Sequence, residues 1–196
     1  MVHSYLPIPA TKEFPRISEV QAQAIWLEAK QPHVRLFFKV LWFTGLRINE
    51  VLVLKTSNLR PSGYEWNLLV QRLKKWEIGR DGKRRRQQAK EMPIARHLAA
   101  ELHDYITNAK LKLSDKLFPG HENTYRYQLK QCARRAGIEN WQEMHPHLFR
   151  HGFAYHRVRQ RVHPFVLRNL LGHEMLSTTM GYYTPTEEDL REAVER

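Results

Sequence analysis

The chain has 196 residues, of which 42% are hydrophobic and 27% charged. This length suits one domain with a single core, and no run approaches the roughly 18–20 apolar residues that a membrane helix needs. The first residues, MVHSYLPIPATKEF, carry prolines and charge where a secretory signal needs an apolar stretch, so we expect a cytoplasmic protein with no membrane partner. The net charge of +12 and the pI near 10.0 favour a polyanionic partner such as a nucleic acid.

Helices are predicted for the first third of the chain. Ser18 and Gln21 form a capping-box pattern that begins a helix extending to about Lys30. Pro32 begins a second helix, HVRLFFKVLWF, which is very apolar and ends at Gly45. The segment INEVLVL predicts a short third helix directly afterwards.

The hydrophobic period then changes from helical to alternating. YEWNLLVQRLK and QQAKEMPIA are predicted as two strands around the polar turn EIGRDGKRRR. The remaining predicted elements are helices at about 95–109, 123–136, 147–160, 164–171, 177–183 and 186–195. The expected fold is therefore mainly α with one small antiparallel β-sheet, in the α+β class.

The stretch HLFRHGFAYHRVRQ contains a histidine pair that metal binding would explain. His147 and His151 are four residues apart, so they share a helix face and could hold one zinc ion. The zinc-protease pattern, however, needs a glutamate after the first histidine, where this chain has Leu148. A four-cysteine site is excluded because Cys132 is the single cysteine. We expect no metal here.

A phosphate clamp is the second explanation of this stretch. Arg150 lies three residues after His147, so both side chains reach the same side of a helix. An arginine fork matches two phosphate oxygens, and a histidine can donate a hydrogen bond or move a proton. Basic residues with this spacing are also common on solvated helices, so the pair needs further support.

Three other segments supply that support. TGLRINEVLVL places Arg47 after an apolar helix, with Glu50 on the next turn. LLGHEMLSTTMGYY places His173 after a glycine and Tyr182 nine residues later, and Lys74 stands where the first strand meets the turn. Taken singly, these would be a surface arginine, a packing tyrosine and an edge lysine.

In this order and spacing, TGLRINE, the strand lysine, HPHLFRHGFA and LGHEMLSTTMGYY resemble the tyrosine recombinase (phage integrase) family from about Ile17 to Tyr183. The resemblance implies a catalytic domain over residues 17–184, preceded by an arm over 1–16. Residues 185–196 would form a C-terminal helix that can be exchanged between protomers. Most members carry a separate N-terminal domain, so the chain resembles either a short fimbrial phase-switch enzyme or part of a longer integrase.

The resemblance also implies a reaction and a site. Members cleave and rejoin DNA through a 3′-phosphotyrosine, without a cofactor, during integration, excision, inversion or resolution. The expected partners are double-stranded DNA and further copies of the chain, as a dimer or tetramer on paired sites. The matching residues are Arg47, Lys74, His147, Arg150, His173 and the nucleophile Tyr182, with Glu50 orienting the site.

Some assignments have close competitors. Tyr183 is adjacent to Tyr182, and Lys75 is adjacent to Lys74. The spacing from His173 favours Tyr182. The turn EIGRDGKRRR is longer and more basic than in many family members, which indicates an added DNA contact. The arginines in question are Arg84, Arg85 and Arg86.

Other functions remain open at this level. HPH and the tyrosine pair would suit a metal-dependent nickase or relaxase, which needs its histidines on a central strand. VHPFVLRNLLGHEMLSTTMGYY could form the helix-turn-helix of a non-catalytic DNA-binding regulator. A type IB topoisomerase would share the chemistry without pairing two sites.

Overall fold

Helices make up most of the part of the chain that the structure describes. A computed structural model describes residues 15–71, 76–78, 84–86, 89–183, 191, 194 and 195, with the backbone alone for 76–78 and 84–86. The α-helices are α1 (Glu19–Leu27), α2 (Pro32–Thr44), α3 (Ile48–Leu52), α4 (Arg96–Asn108), α5 (Glu122–Arg135), α6 (His147–Arg159), α7 (Pro164–Leu171) and α8 (Leu176–Met180). Short 3₁₀ turns lie at Thr56–Asn58 and Trp141–Glu143. None of the helices in these ranges is long and apolar enough to cross a membrane.

The apolar helix α2 is the centre of the core. It packs against α1, α4 and α6. The ring of Phe37 stacks on Tyr125 of α5 at 3.8 Å between centroids, and Phe38 stacks on Phe149 of α6 at 5.8 Å. The helix ends at Gly45, as predicted, in a left-handed conformation with φ of 64°. This central position brings the residues just after α2 close to the start of α6.

The capping box of α1 is also present as predicted. The Gln21 N–H donates to Ser18 Oγ at 3.2 Å, and the Ser18 N–H donates to Gln21 Oε1 at 2.9 Å. The helix ends at Leu27, three residues before the predicted end at Lys30.

The main sheet has three antiparallel strands in the order β1 (Leu59–Ser62), β2 (Glu65–Val70) and β5 (Lys90–Ile94). The pairing of β2 with β5 aligns Leu68 with Met92, so the mainly helical fold with a small antiparallel sheet is confirmed. Strand β1 was not predicted. It contains Pro61, which lacks an N–H donor and interrupts the strand pattern, but an edge strand tolerates it.

The segment predicted as a plain turn between β2 and β5 contains a second pair of strands. β3 (Trp76–Ile78) pairs antiparallel with β4 (Arg84–Arg86), and Glu77 stands opposite Arg85. The turn assignment was therefore wrong at these positions. Three consecutive arginines hide any alternation of apolar and polar residues, which is the signal by which a strand is predicted.

The C-terminal part of the described chain forms a second, smaller apolar cluster. It consists of Phe153, Ala154, Leu167, Leu171 and Tyr182, from α6, α7 and the segment after α8. The predicted helix at 177–183 is observed as α8, which ends earlier, at Met180. Residues 1–14 and most of 185–196 lie outside the described residues, so the predicted arm and C-terminal helix, and with them the domain bounds, stay predictions.

Candidate active site

The junction between α2 and α3 positions Arg47 and Glu50. Arg47 is the residue before α3, and its backbone N–H donates to Glu50 Oε2 at 2.9 Å. Its Nη1 also contacts Glu50 Oε1 at 3.2 Å. Glu50 is buried, at 1% exposure, whereas Arg47 keeps part of its side chain in solvent. The buried carboxylate therefore holds the guanidinium at the opening of the site.

Arg150, on α6, is held from the other side and is almost fully buried. Its Nη1 donates to the carbonyl of Gly45 at 2.8 Å, and its Nη2 donates to the carbonyl of Leu171 at 2.8 Å. Gly45 follows α2 and Leu171 is the last residue of α7. One arginine therefore joins the ends of two helices while carrying a positive charge in the interior.

Two histidines share the face of α6 that carries Arg150. The rings of His147 and His151 meet edge to face at 5.3 Å between centroids. His147 lies at the rim with part of its ring in solvent. Partial burial, and then the charges of Arg150 and other neighbours including Arg47, lower the pKa of His147 well below 6.5. His147 is therefore neutral at neutral pH.

Tyr182 stands at the centre of the arrangement. Its ring is 9% exposed and packs in the second apolar cluster, while its hydroxyl lies 2.7 Å from His151 Nδ1. Burial raises the pKa of Tyr182, and Arg150 and Arg47 act in the opposite direction. Both arginines therefore interact electrostatically with the phenol, so the structure brings together Arg47 before α3, Arg150 on α6 and Tyr182 after α8.

His173 also lies beside Tyr182. It follows Gly172, which ends α7 with a left-handed φ of 66°. Its ring lies nearly parallel to that of Tyr182 at 6.3 Å, and its Nδ1 is 2.9 Å from the hydroxyl oxygen of the buried Thr179. Thr179 was not predicted from the sequence, because a threonine in a short helix carries no recognisable signal.

The two adjacent tyrosines point to different places. The hydroxyl of Tyr183 donates to the backbone carbonyl of Val162, between α6 and α7. The hydroxyl of Tyr182 instead meets His151. Of the two hydroxyls, that of Tyr182 is the one that contacts a histidine of α6, and the choice of Tyr182 as the reactive tyrosine stays a prediction.

Part of the predicted site lies outside the described residues or is described by its backbone alone. Lys74 and its competitor Lys75 fall outside the described residues, and Arg84, Arg85 and Arg86 are described by their backbone in β4. Over the described ranges, no group of three or more histidine, cysteine or acidic side chains converges as a metal site would require. The expectation that the site uses no metal stays a prediction.

Comparison with known proteins identifies the family. The sequence profile of the Phage integrase family matches residues 12–189. The chain is 32% identical over 173 residues to the tyrosine recombinase XerA of Pyrococcus furiosus, covering 83% of this chain and 54% of that protein. The chain belongs to the phage integrase family. The chain spans about half the length of such curated relatives.

Solved structures show the same fold. A crystal structure of XerA recombinase superposes with a TM-score of 0.71 at 22% identity, covering 92% of this chain and 64% of that one. The XerH site-specific recombinase bound to its difH substrate, in a pre-cleavage complex, gives 0.66 at 21% identity, covering 97% and 56%. The expected resemblance to the short fimbrial type stays a prediction.

Proposed function

We propose that this protein is a site-specific DNA recombinase that cleaves and rejoins double-stranded DNA through a 3′-phosphotyrosine at Tyr182. The observation that carries the proposal is one buried tyrosine whose hydroxyl contacts His151 and interacts electrostatically with Arg47 and Arg150, with the ring of His173 parallel to its own. A basic chain of net charge +12 suits a DNA partner, and XerH, a protein of similar fold, is bound to its DNA substrate. Such a substrate would place the activity in the cytoplasm.

The geometry suggests a role in the reaction for each residue of the site. Attack on a phosphodiester builds negative charge on the non-bridging oxygens, and Arg47 and Arg150 stabilise it electrostatically. The neutral His147, at the first turn of α6, can donate a hydrogen bond to the same phosphate. His173, whose ring lies parallel to that of Tyr182, would help to hold the tyrosine ring in position. Lys74 would protonate the departing 5′ oxygen.

Glu50 and the basic strand β4 have supporting roles in this proposal. Glu50 holds the Arg47 guanidinium and makes no direct contribution to the phosphate. Arg84, Arg85 and Arg86 would contact DNA phosphates outside the cleavage point, which contributes affinity that weakens as salt rises. Copies of the chain would assemble as a dimer or tetramer on paired sites.

The competing functions fit the structure less well. A relaxase needs its histidine pair on a central strand, whereas His147 begins a helix. A helix-turn-helix regulator needs an exposed recognition helix after α7, but α8 has five residues and buries Thr179. A type IB topoisomerase differs only in not pairing two sites, so it is separated by assay.

The test is capture of the covalent intermediate. A nicked suicide substrate from the genomic neighbourhood of the coding sequence should trap a protein–DNA adduct without added metal and in the presence of EDTA. Tyr182→Phe should abolish the adduct and leave binding intact, and Tyr183→Phe should retain it. An adduct lost in Tyr183→Phe alone, or one that needs a divalent metal, would contradict the proposal. Formation of a two-site complex distinguishes a recombinase from a topoisomerase.

A further inference from the structure

His151 is the residue of this site for which the family motifs assign no role. It lies one turn after His147 on α6, and its Nδ1 is 2.7 Å from the Tyr182 hydroxyl. The two residues are 31 positions apart in the chain, and their rings are tilted at 47° with centroids 5.7 Å apart. This contact directly involves the oxygen that would attack the phosphate.

The protonation states define the direction of this hydrogen bond. Burial raises the pKa of Tyr182, so its phenol carries a proton at neutral pH. Burial, followed by the charges of Arg150 and His145, lowers the pKa of His151, so its imidazole is neutral. A protonated phenol donates, and Nδ1 of the neutral ring must then be the acceptor with its proton on Nε2.

Other groups at the site are less suited to receive that proton. Guanidinium groups have no acceptor atom, which excludes Arg47 and Arg150. His173 directs its Nδ1 to Thr179, and its ring lies parallel to that of Tyr182. His147 contacts the ring of His151 at the rim of the site.

We propose that His151 is the proton acceptor that activates Tyr182 for attack, a step that rests on the proposed function. As the phenol oxygen forms its bond to phosphorus, the phenol proton passes to Nδ1, giving an imidazolium that retains Nε2–H. The bond from phosphorus to the 5′ oxygen breaks, and that oxygen takes its proton from a separate acid, for which Lys74 is proposed. The proton returns from Nδ1 to the phenol on rejoining.

The electrostatics couple this transfer to bound DNA. In the free protein, burial and then the charge of Arg150 disfavour an imidazolium at His151. A phosphodiester held at the site brings a negative charge close to the ring and favours the protonated form. The base would therefore gain proton affinity when the substrate is in place.

The first experiment compares His151→Gln with the wild type in single-turnover adduct formation on the suicide substrate. Glutamine can keep a hydrogen bond to Tyr182 but cannot accept a proton at neutral pH. We expect the rate to fall by about 100–10,000-fold, the range typical of a general base, with DNA affinity nearly unchanged. His156→Gln, further along α6, is the matched control and should keep the wild-type rate. A His151→Gln rate close to that of the wild type would overturn the proposal.

A second measurement separates proton transfer from positioning. Difluorotyrosine placed at position 182 has a more acidic phenol, so its attack depends less on a base. With difluorotyrosine at position 182, the His151→Gln variant should form the adduct at least about tenfold faster than it does with tyrosine. No restoration would show that His151 only supports the tyrosine, and the proposal would fail. If the wild type itself formed no adduct, the proposed recombinase function would fail first, and that result is distinguishable from either outcome above.

Discussion

At the level of single residues, the two arginines of the site are held in different ways. Arg47 is paired with the buried carboxylate of Glu50 and keeps part of its side chain in solvent. Arg150 is buried and donates to the backbone carbonyls of Gly45 and Leu171. Both would stabilise transition-state charge, but only Arg150 also joins two helix ends.

This difference predicts distinct effects of alanine substitution. Arg47→Ala and Arg150→Ala should each slow adduct formation by about 100–1000-fold, far more than they weaken DNA binding, because a charge-stabilising donor is lost. Arg150→Ala should in addition lower the free energy of unfolding by about 2–4 kcal/mol, because two buried carbonyls lose their donors. Quench-flow cleavage, gel-shift affinity and urea unfolding measure the three quantities. Equal losses in rate and affinity would make these arginines ordinary phosphate contacts.

Lys74 can be tested without a structure of its surroundings. Its position at the end of the first predicted strand matches the hairpin lysine of the family, which implies the role of general acid. Lys74→Ala should cleave a normal phosphodiester slowly and regain most of its rate on a 5′-bridging phosphorothiolate, whose leaving group needs no proton. Rescue of Lys75→Ala instead would transfer the role to that neighbour.

Four histidines with lowered pKa values predict how stability depends on pH. Partial burial lowers the pKa of His33, His145, His147 and His151, and neighbouring cations contribute to the last three. Each folded-state pKa lies below the ordinary 6.5, so the unfolded chain binds more protons between these values. The contribution of these histidines to the free energy of unfolding should therefore be complete above about pH 7. It should decrease as the pH falls through 6.5.

The measurement is the urea midpoint at about pH 7.5 and about pH 5.5, with the lower midpoint expected at the lower pH. The double variant His147→Asn/His151→Asn should reduce the difference between the two midpoints. His121→Asn, at the exposed residue before α5, is the matched control and should keep it. A double variant with the full wild-type difference would show that these histidines do not cause the pH dependence.

At the level of the elements, the ends of two helices build the site. Gly45 ends α2 and Gly172 ends α7, both in the left-handed conformation. The turn at Gly45 directs the chain toward Arg47 and presents the carbonyl that Arg150 binds. A Cβ at Gly45 would lie 2.4 Å from Cδ1 of Phe153, so the turn is also closely packed against α6.

Gly45→Ala should therefore be strongly destabilising. It combines left-handed strain, about 1–3 kcal/mol, with a steric clash of similar size, and we expect a total loss of about 2–5 kcal/mol in urea unfolding. Gly63→Ala is the matched control, since its φ of 60° is similar but no atom lies within 4 Å of the added Cβ. Similar losses in the two variants would show that the contact with Phe153 relaxes at little cost.

At the level of the whole molecule, the proposed reaction on paired sites needs contacts between copies of the chain. The segment TPTEEDLREAVER carries Leu190 and Val194 four residues apart, which predicts a helix with a narrow apolar stripe. Its placement lies mostly outside the described residues. The two alternatives are packing on its own domain and docking on a neighbouring protomer, and family resemblance favours docking.

Deletion of residues 185–196 separates these possibilities. Docking on a neighbour predicts that the shortened chain binds a single site normally but loses the paired-site complex on native gels. A second variant, Leu190→Ala/Val194→Ala, removes the apolar stripe without shortening the chain. It should show the same selective loss of the paired-site complex. Normal pairing by both variants would show that the segment is not exchanged.

Local patterns explain how much of this fold could be predicted. Pro32 and Gly45 bound α2, and Pro164 and Gly172 bound α7, because these residues begin and end helices through their own backbone preferences. Strand β1 and the pair β3–β4 were missed because proline and an arginine run obscure the alternation that identifies a strand.

The sequence alone determined the mainly helical class, the basic charge that favours DNA, and the ordered motifs with Arg47, Arg150 and Tyr182. Each of these depends on residue types and on spacings that can be counted along the chain. Only the tertiary structure decided that Arg150 bonds a carbonyl 105 residues away and that the Tyr182 hydroxyl meets His151. Such contacts arise when helices from distant parts of the chain pack together, and helical periodicity identifies a buried face without specifying which residue it will face.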